Sequence, residues 1–202
     1  MALVTMRDRI LESAECVMRQ RGLAGSTTRR IAEVARCSEG TLYRYFNSKE
    51  DLFLAVLMER MPGFIPALRE LHGQVGKETI RQNLEAVTLA GLAFFNESIP
   101  VSTSIFAEPQ LLKRHQAWMQ QANSGPHRGI QLLADYLREE QRLGRIREAA
   151  DAQTAATLLL GACYIRALSS SFVQPDATSE AEFARHLVET LLGGIEGQTA
   201  PV

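Results

Sequence analysis

Apolar residues recur at intervals of three and four along almost the whole chain, and no segment sustains the period of two that a strand requires. In the first segment, for example, Ile10, Leu11, Ala14 and Val17 form one apolar stripe between polar positions. The stripes are interrupted at glycine and proline residues, which end helices. The pattern therefore predicts an all-α protein with about ten helices.

Capping residues and prolines locate the predicted helix ends. A Ser, Thr or Asp side chain can accept a hydrogen bond from a free amide in the first turn of a helix. The predicted N-caps are Thr5, Thr27, Ser38, Ser48, Asp151 and Ser179. Proline is expected to break the chain at Pro62, Pro66 and Pro100 and again at Pro109 and Pro126. The predicted helices are residues 6–20, 28–35, 39–45, 49–60, 77–97, 101–107, 110–123, 127–143, 151–172 and 180–192.

Residues 27–46 contain two short predicted helices separated by about three residues, which is the spacing of a helix-turn-helix. Ala32 and Ala35 are small enough for close packing, while Leu42 and Phe46 can anchor the second helix from behind. Side chains with hydrogen-bonding groups then face away from that anchor, namely those of Thr41, Tyr43, Arg44 and Tyr45. Spacing alone leaves two interpretations open: a DNA-reading helix, or a helix pair packed as in many all-α proteins.

The identity of these residues goes beyond spacing. They resemble the N-terminal domain of the tetracycline-repressor (TetR) family over about residues 6–60. The resemblance is carried by Thr27, Ile31-Ala32, Ala35, Ser38, Gly40-Thr41-Leu42-Tyr43, Tyr45-Phe46 and Ser48-Lys49-Glu50-Asp51-Leu52. It implies an N-terminal three-helix DNA-binding domain of residues 1–48, a linking helix of about 49–60, and a larger helical ligand-binding and dimerisation domain of residues 61–202. It also implies a transcriptional regulator, more often a repressor, that a small molecule releases from a pseudo-palindromic operator.

The resemblance assigns a role to each residue of the DNA-binding set. Phosphate contacts are implied for Thr28 and Arg29, backbone clamps for Tyr45 and Lys49, and base recognition for Gly40, Thr41, Tyr43 and Arg44. The turn departs from the family pattern, which usually has Gly and then an aliphatic residue where this chain has Arg36 and Cys37. We expect Arg36 to adopt a mildly strained positive φ and Cys37 to fill the small apolar slot between the helices.

Beyond residue 60 the resemblance is one of architecture. The last two helices are expected to form a four-helix bundle with their twofold mates in a homodimer. The predicted interface residues are Ala155, Leu159, Cys163, Ala167, Leu187 and Leu191. The predicted pocket residues, suited to an apolar or aromatic ligand, are Leu89, Phe94, Phe95, Phe106, Trp118, Met119 and Tyr136. An ordinary intrachain core remains the alternative for both sets, and Glu97 or Glu108 could bind a cationic ligand or simply face solvent.

The net charge and its distribution along the chain bear on whether the protein binds nucleic acid. The chain has 202 residues and a formal net charge of -1, which taken alone disfavours a nucleic-acid partner. However, residues 1–49 contain nine basic and five acidic side chains, and residues 50–202 contain 13 basic and 18 acidic ones. The basic charge is thus concentrated in the segment that resembles a DNA-binding domain, with a balance of +4 against -5 in the remainder.

The sequence predicts neither an enzyme nor a metal or cofactor site. There is no HExxH, Glu-x-x-His pair, G-x-S-x-G or Walker-type loop, and the three cysteines have no CxxC spacing. A cytoplasmic protein without a secretory signal or membrane helix is expected. Three alternatives stay open: an activator of the same fold, a redox-responsive regulator acting through Cys37, and an accessory protein that has lost DNA binding.

Overall fold

The regular secondary structure of the described residues is all α-helix. The computed structural model describes residues 4–59, 64–106, 109–121, 123, 125–173 and 178–194, apart from the side chains of 23, 24, 57, 58 and 100–104. In these residues there are ten helices and no strand: α1 (Met6–Gly25), α2 (Thr28–Val34), α3 (Glu39–Tyr43), α4 (Lys49–Glu59), α5 (Phe64–His72), α6 (Ile80–Phe106), α7 (Pro109–Gln121), α8 (Pro126–Arg142), α9 (Ala152–Ser170) and α10 (Glu180–Gly193). The all-α prediction is confirmed.

Side-chain caps begin the helices at all six predicted positions. At α1 the arrangement is reciprocal, since the Thr5 amide donates to Asp8 Oδ2 (3.1 Å) and the Asp8 amide donates to Thr5 Oγ1 (3.2 Å). The other five predicted caps accept from an amide three residues on. Thr79 and Gln82 form a further reciprocal cap that the sequence interpretation missed. Local hydrogen bonding therefore fixes most helix starts.

The structure corrects two predicted breaks. Helix α6 continues through Pro100, so the separate helices predicted for 77–97 and 101–107 are one helix. The buried side chains of Ile99 and Ile105 on either side show that tertiary packing outweighs the missing hydrogen bond. Helix α5 also forms where only a break was expected. Pro66 lies in its first turn, where a missing amide removes no intrahelical bond.

The first compact unit comprises Met1–Pro62 together with Asn96–Asn123. Its core joins α1, α2, α3 and α4 with the last turns of α6 and the start of α7. The buried side chains include Ile10, Ile31, Leu42, Phe46, Leu52, Phe53, Ile105 and Leu111. This unit differs from the predicted domain of residues 1–48, because helix α7 packs on α4 and belongs to the same core.

The second compact unit comprises Gly63–Phe95 and Ser124–Val202. Its core is formed by α5, the first turns of α6, α8, α9 and α10. Helix α8 packs against both α5 and α9. The fully buried side chains include those of Leu68, Leu84, Leu133, Tyr136, Leu159 and Cys163.

A buried polar network joins the α5–α6 loop of the second unit to α8. The Asn83 side-chain amide donates to Tyr136 Oη (3.0 Å) and to the carbonyl oxygen of Lys77 (3.2 Å). One turn further along α8, buried Glu140 accepts from the Gly76 amide (3.1 Å) and pairs with Arg145 (3.3 Å). Burial raises the pKa of Tyr136 to about 12. The tyrosine hydroxyl thus stays protonated and serves as a structural hydrogen-bonding group.

We predict that Tyr136→Phe lowers the free energy of unfolding by at least about 1 kcal/mol, because it removes the buried hydroxyl that hydrogen-bonds with Asn83 and Glu140 while keeping the ring. Urea denaturation followed by circular dichroism measures the change. Tyr164→Phe is the matched control, since Tyr164 is partly exposed and its substitution should change stability by less than about 0.5 kcal/mol. Equal effects of the two substitutions would contradict the structural role of the Tyr136 hydroxyl.

Candidate nucleic-acid interface

A tight turn sets the geometry of α2 and α3. The Arg30 amide donates to Thr27 Oγ1 (3.2 Å) at the start of α2, and the Thr41 amide donates to Ser38 Oγ (3.0 Å) at the start of α3. Between the helices, Arg36 has a φ of 51°, the left-handed conformation expected for this position. The Cys37 amide then donates to the carbonyl oxygen of Ala32 (2.9 Å). Side-chain caps and one left-handed residue thus produce the helix-turn-helix.

Helix α3 has one buried and one exposed face. Leu42 and Phe46 are buried in the core of the first unit, as predicted, and half-buried Cys37 packs against the same core. Tyr43 and Tyr45 are 48% and 46% exposed, so both aromatic side chains are accessible from outside the unit. Because Leu42 and Phe46 hold α3 and the turn after it against the core, Tyr43 at the end of the helix and Arg44 and Tyr45 in the turn are exposed.

The remaining predicted DNA-binding residues lie on the same unit, at the ends of short helices. Thr28 Oγ1 donates to Glu39 Oε2 (2.8 Å), which joins the start of α2 to the start of α3. Arg29 is exposed and pairs with Glu33 within α2 (3.4 Å). Gly40 and Thr41 form the first turn of α3, where Thr41 Oγ1 lies 2.9 Å from the Ser38 hydroxyl. These positions give the unit several hydrogen-bonding groups beside two helix starts.

Lys49 occupies the first position of α4. Its ammonium nitrogen lies 5.0 Å from the centroid of the Phe53 ring, a cation–π distance. Phe53 lies one turn further along α4, so its ring holds the Lys49 ammonium group close to the first turn of the helix. A cation beside free helix amides is a suitable partner for a phosphate group.

Two long-range ion pairs attach to the ends of α4, and the sequence interpretation missed both. Arg7 of α1 pairs with Glu59 through two hydrogen bonds of 2.7 and 2.6 Å, which raises the pKa of Arg7 and lowers that of Glu59. Arg114 of α7 pairs with Asp51 and donates to Ser48 Oγ (3.4 Å). No local pattern marks these partners, since more than 50 residues separate them in the chain.

Two family models match this chain. The model described as bacterial regulatory proteins, tetR family, matches residues 10–56, and the model described as AefR-like transcriptional repressor, C-terminal domain, matches residues 111–193. Together they span more than half of the chain and include the helix-turn-helix. The chain belongs to the TetR family. It is a DNA-binding transcriptional regulator and, like its relatives, not an enzyme.

Full-length relatives agree with this TetR assignment. The fatty acid metabolism regulator protein of Bacillus subtilis is 23% identical over 94% of this chain and 95% of its own length. Among solved structures, a putative TetR-family regulator from Mesorhizobium loti has a TM-score of 0.73 at 20% identity, covering 93% of this chain and 95% of its own. The regulator FadR from Bacillus subtilis, in complex with stearoyl-CoA, has a TM-score of 0.68 at 20% identity, covering 93% and 98%.

The seven predicted pocket residues of this TetR-family chain are divided between the two compact units. Phe106, Trp118 and Met119 belong to the first unit, whereas Leu89, Phe94, Phe95 and Tyr136 belong to the second. Tyr136 is fully buried and hydrogen-bonded, so it is a core residue in this structure. Phe94 and Phe95 belong to an aromatic cluster with Phe64 and Tyr164, which the sequence interpretation did not include, at centroid distances of 5.2–6.1 Å.

The structure places three of the six predicted dimer residues inside the second unit. Leu159, Cys163 and Ala167 are 0%, 0% and 2% exposed, and Cys163 Sγ lies 3.7 Å from the carbonyl oxygen of Thr88. They were expected to face a second copy, but the small residues of α9 instead allow it to pack closely within its own chain. Ala155, Leu187 and Leu191 are half-buried.

The remaining predicted groups have ordinary surroundings. Glu97 pairs with Arg19 on the surface of the first unit (3.0 Å), while Glu108 lies outside the described residues. Cys16 is exposed, and burial raises the pKa of the Cys163 thiol to about 12. None of the described helices is both long and apolar enough to cross a membrane.

Proposed function

We propose that this chain is a homodimeric repressor that binds a pseudo-palindromic operator and is released from it by an apolar small molecule. The main structural support for the proposed DNA contact is the exposed face of α3. Leu42 of the helix and Phe46 of the turn after it are buried in the core, so Tyr43 and Arg44 remain available to DNA. Recognition helices of this class insert into the major groove, where an Arg side chain can pair with a guanine edge.

We assign different roles to α3 and to the surrounding residues. Arg44 and Tyr43 are proposed to contact base edges, together with the exposed backbone at Gly40 and the hydroxyl of Thr41. Thr28, Arg29, Tyr45 and Lys49 are proposed to contact phosphates. Phosphate contacts determine affinity and its salt dependence, whereas base contacts determine sequence preference.

We expect Lys49→Ala to weaken binding to every DNA sequence and to lower the slope of log affinity against log salt by about 0.9 for each phosphate that is no longer neutralised. Arg44→Ala should instead reduce the preference for the operator over unrelated DNA. Mobility shifts with a duplex from upstream of its own gene, at several salt concentrations, measure both effects. Lys77→Ala removes the same charge from the second unit and is the control. An unchanged salt slope in Lys49→Ala would refute its phosphate contact.

The exposed apolar face of α9 supports the dimer. Leu158 and Ile165 are each 58% exposed and stand seven residues apart, which puts them on one side of the helix. Gly161 lies between them, and a Cβ atom built on it would contact nothing within 4 Å. We propose that this face, rather than Leu159, Cys163 and Ala167, contacts the second copy. Leu191 and Leu187 of α10 remain in the proposed interface, as does Ala155.

Replacing Leu158 or Ile165 by Asp should convert the dimer to a monomer, because each substitution buries a charge in the proposed interface. Analytical ultracentrifugation gives the mass, and circular dichroism verifies that the helices are retained. Leu143→Asp is the control, since Leu143 is similarly exposed but lies after α8. A dimer that survives both α9 substitutions would show that another surface is used.

The effector is proposed to be an apolar chain that contacts the aromatic cluster of the second unit, defined as Phe64, Phe94, Phe95 and Tyr164. Phe94, Phe95 and Tyr164 are not fully buried, so the cluster offers aromatic surface to a ligand. An acyl-CoA is a suitable candidate, since a similar Bacillus subtilis protein is named as a fatty acid metabolism regulator and the similar FadR structure from that organism is a complex with stearoyl-CoA.

Stearoyl-CoA is therefore expected to release the protein from operator DNA at micromolar concentrations, while coenzyme A without an acyl chain should not. Phe94→Ala should raise the stearoyl-CoA concentration needed for release by about tenfold, because it removes a large apolar contact. Ile146→Ala, at another half-buried apolar side chain of the same unit, is the matched control. Operator binding that is insensitive to stearoyl-CoA would exclude this ligand class.

A further inference from the structure

Arg114 connects α7 to the DNA-contacting end of α4. Its guanidinium forms an ion pair with Asp51 and donates a second hydrogen bond to Ser48 Oγ (3.4 Å). The Ser48 hydroxyl simultaneously accepts from the Asp51 amide (3.1 Å), as the N-cap of α4. One arginine therefore contacts both side chains that organise the first turn of α4.

The position of Arg114 is fixed by the packing of its helix. Leu111, three residues earlier on α7, is 2% exposed and belongs to the same apolar core as Leu52 and Phe53 of α4. Helix α7 is thus attached to the first unit by buried apolar contacts. The ion pair lies at the edge of that contact, with the side chains of Arg114 and Asp51 46% and 25% exposed.

Asp51 is subject to two opposing electrostatic demands. In the first turn of α4, a carboxylate is favourable for the helix because it faces the positive end of the helix dipole. However, Asp51 is only two residues from Lys49, the proposed phosphate contact, and an uncompensated carboxylate there repels the phosphate backbone of DNA. A cation paired with Asp51 removes that repulsion while the helix keeps its acidic residue.

We propose that Arg114 is a positioning residue for DNA binding. It neutralises Asp51 and holds the Ser48 cap, so that Lys49 can engage a phosphate without competition from the neighbouring carboxylate. Helix α7, some 60 residues beyond the helix-turn-helix, thereby becomes part of the DNA-binding surface. This inference rests on the proposed function, since it requires Lys49 to contact DNA.

The test is a double-mutant cycle of Arg114→Ala, Asp51→Asn and their combination on the full-length protein, read by mobility shift with the same upstream duplex at several salt concentrations. Arg114→Ala should weaken operator binding about three- to tenfold, given that a dimer loses one such pair in each of its two heads. Asp51→Asn combined with Arg114→Ala should restore affinity to within about twofold of wild type, because the unpaired carboxylate is then removed as well. Arg114→Gln keeps a hydrogen bond to Ser48 without the charge and should resemble Arg114→Ala.

Matched controls separate this effect from a simple change in net charge. Lys113→Ala removes one positive charge from the adjacent, exposed position of α7 and should alter affinity less than twofold. Glu50→Gln, combined with Arg114→Ala, removes a neighbouring acid that does not pair with Arg114. This double variant should bind the operator more weakly than the double variant of Asp51→Asn and Arg114→Ala.

Two results would overturn the proposal: equal losses of affinity from Arg114→Ala and Lys113→Ala, or a double variant as weak as Arg114→Ala alone. Circular dichroism of each variant excludes unfolding as the cause of weaker binding, and Arg114→Gln decides the question if Arg114→Ala unfolds. If the wild-type protein itself does not bind the duplex, the proposed function fails first. If it binds and the cycle shows no coupling, only the role of Arg114 fails.

Discussion

The burial of Leu42 and Phe46 is the constraint on which the DNA-binding unit depends. Helix α3 contains only five residues, too few to form a stable helix on its own. It is held because these two side chains enter a core supplied by α1, α2 and α4. The same burial fixes α3 and the turn after it, and leaves Tyr43 and Tyr45 exposed. Exposure of the proposed recognition face is therefore a direct consequence of core packing.

Helix α4 packs into the same core and forms an ion pair with another helix at each of its ends. Its middle residues, Leu52 and Phe53, are buried, while its two ends are held by charged partners from other helices. At one end Arg7 forms a two-point contact with Glu59 and also lies 5.4 Å from the ring of Phe46. At the other end Arg114 contacts Ser48 and Asp51. Exposed ion pairs contribute little to stability, so the buried side chains hold α4 in the core and the pairs determine which charges surround its two ends.

The sequence predicted features that arise from local interactions. Side-chain caps such as Ser38 and the left-handed turn at Arg36 depend on residues a few positions apart, and the structure contains them as expected. Features that depend on distant partners were not predictable. Helix α6 runs through Pro100 because buried residues on both sides compensate, and Arg114 meets Asp51 across more than 60 residues.

Helix α9 illustrates why a face is harder to assign than a helix. Its small residues predicted close approach to another helix, and close approach does occur, but the partner is in the same chain. A shift of one residue along a helix rotates the side chain by about 100°. The stripe through Leu159 and Cys163 therefore points inward, while Leu158 and Ile165 point outward. Apolar periodicity identified the helix but could not distinguish two adjacent apolar faces.

The same contacts determine where the charged side chains lie in the folded protein. The segment of residues 1–49 has a balance of +4 and the remainder one of -5, so the total of -1 conceals a basic region. The boundary in space does not follow the boundary in sequence, because α7 belongs to the first unit and brings Arg114 to Asp51. A carboxylate counted with the acidic remainder is thus compensated at the end of α4. The local charge that a phosphate would encounter beside Lys49 depends on this pairing more than on either segment's total.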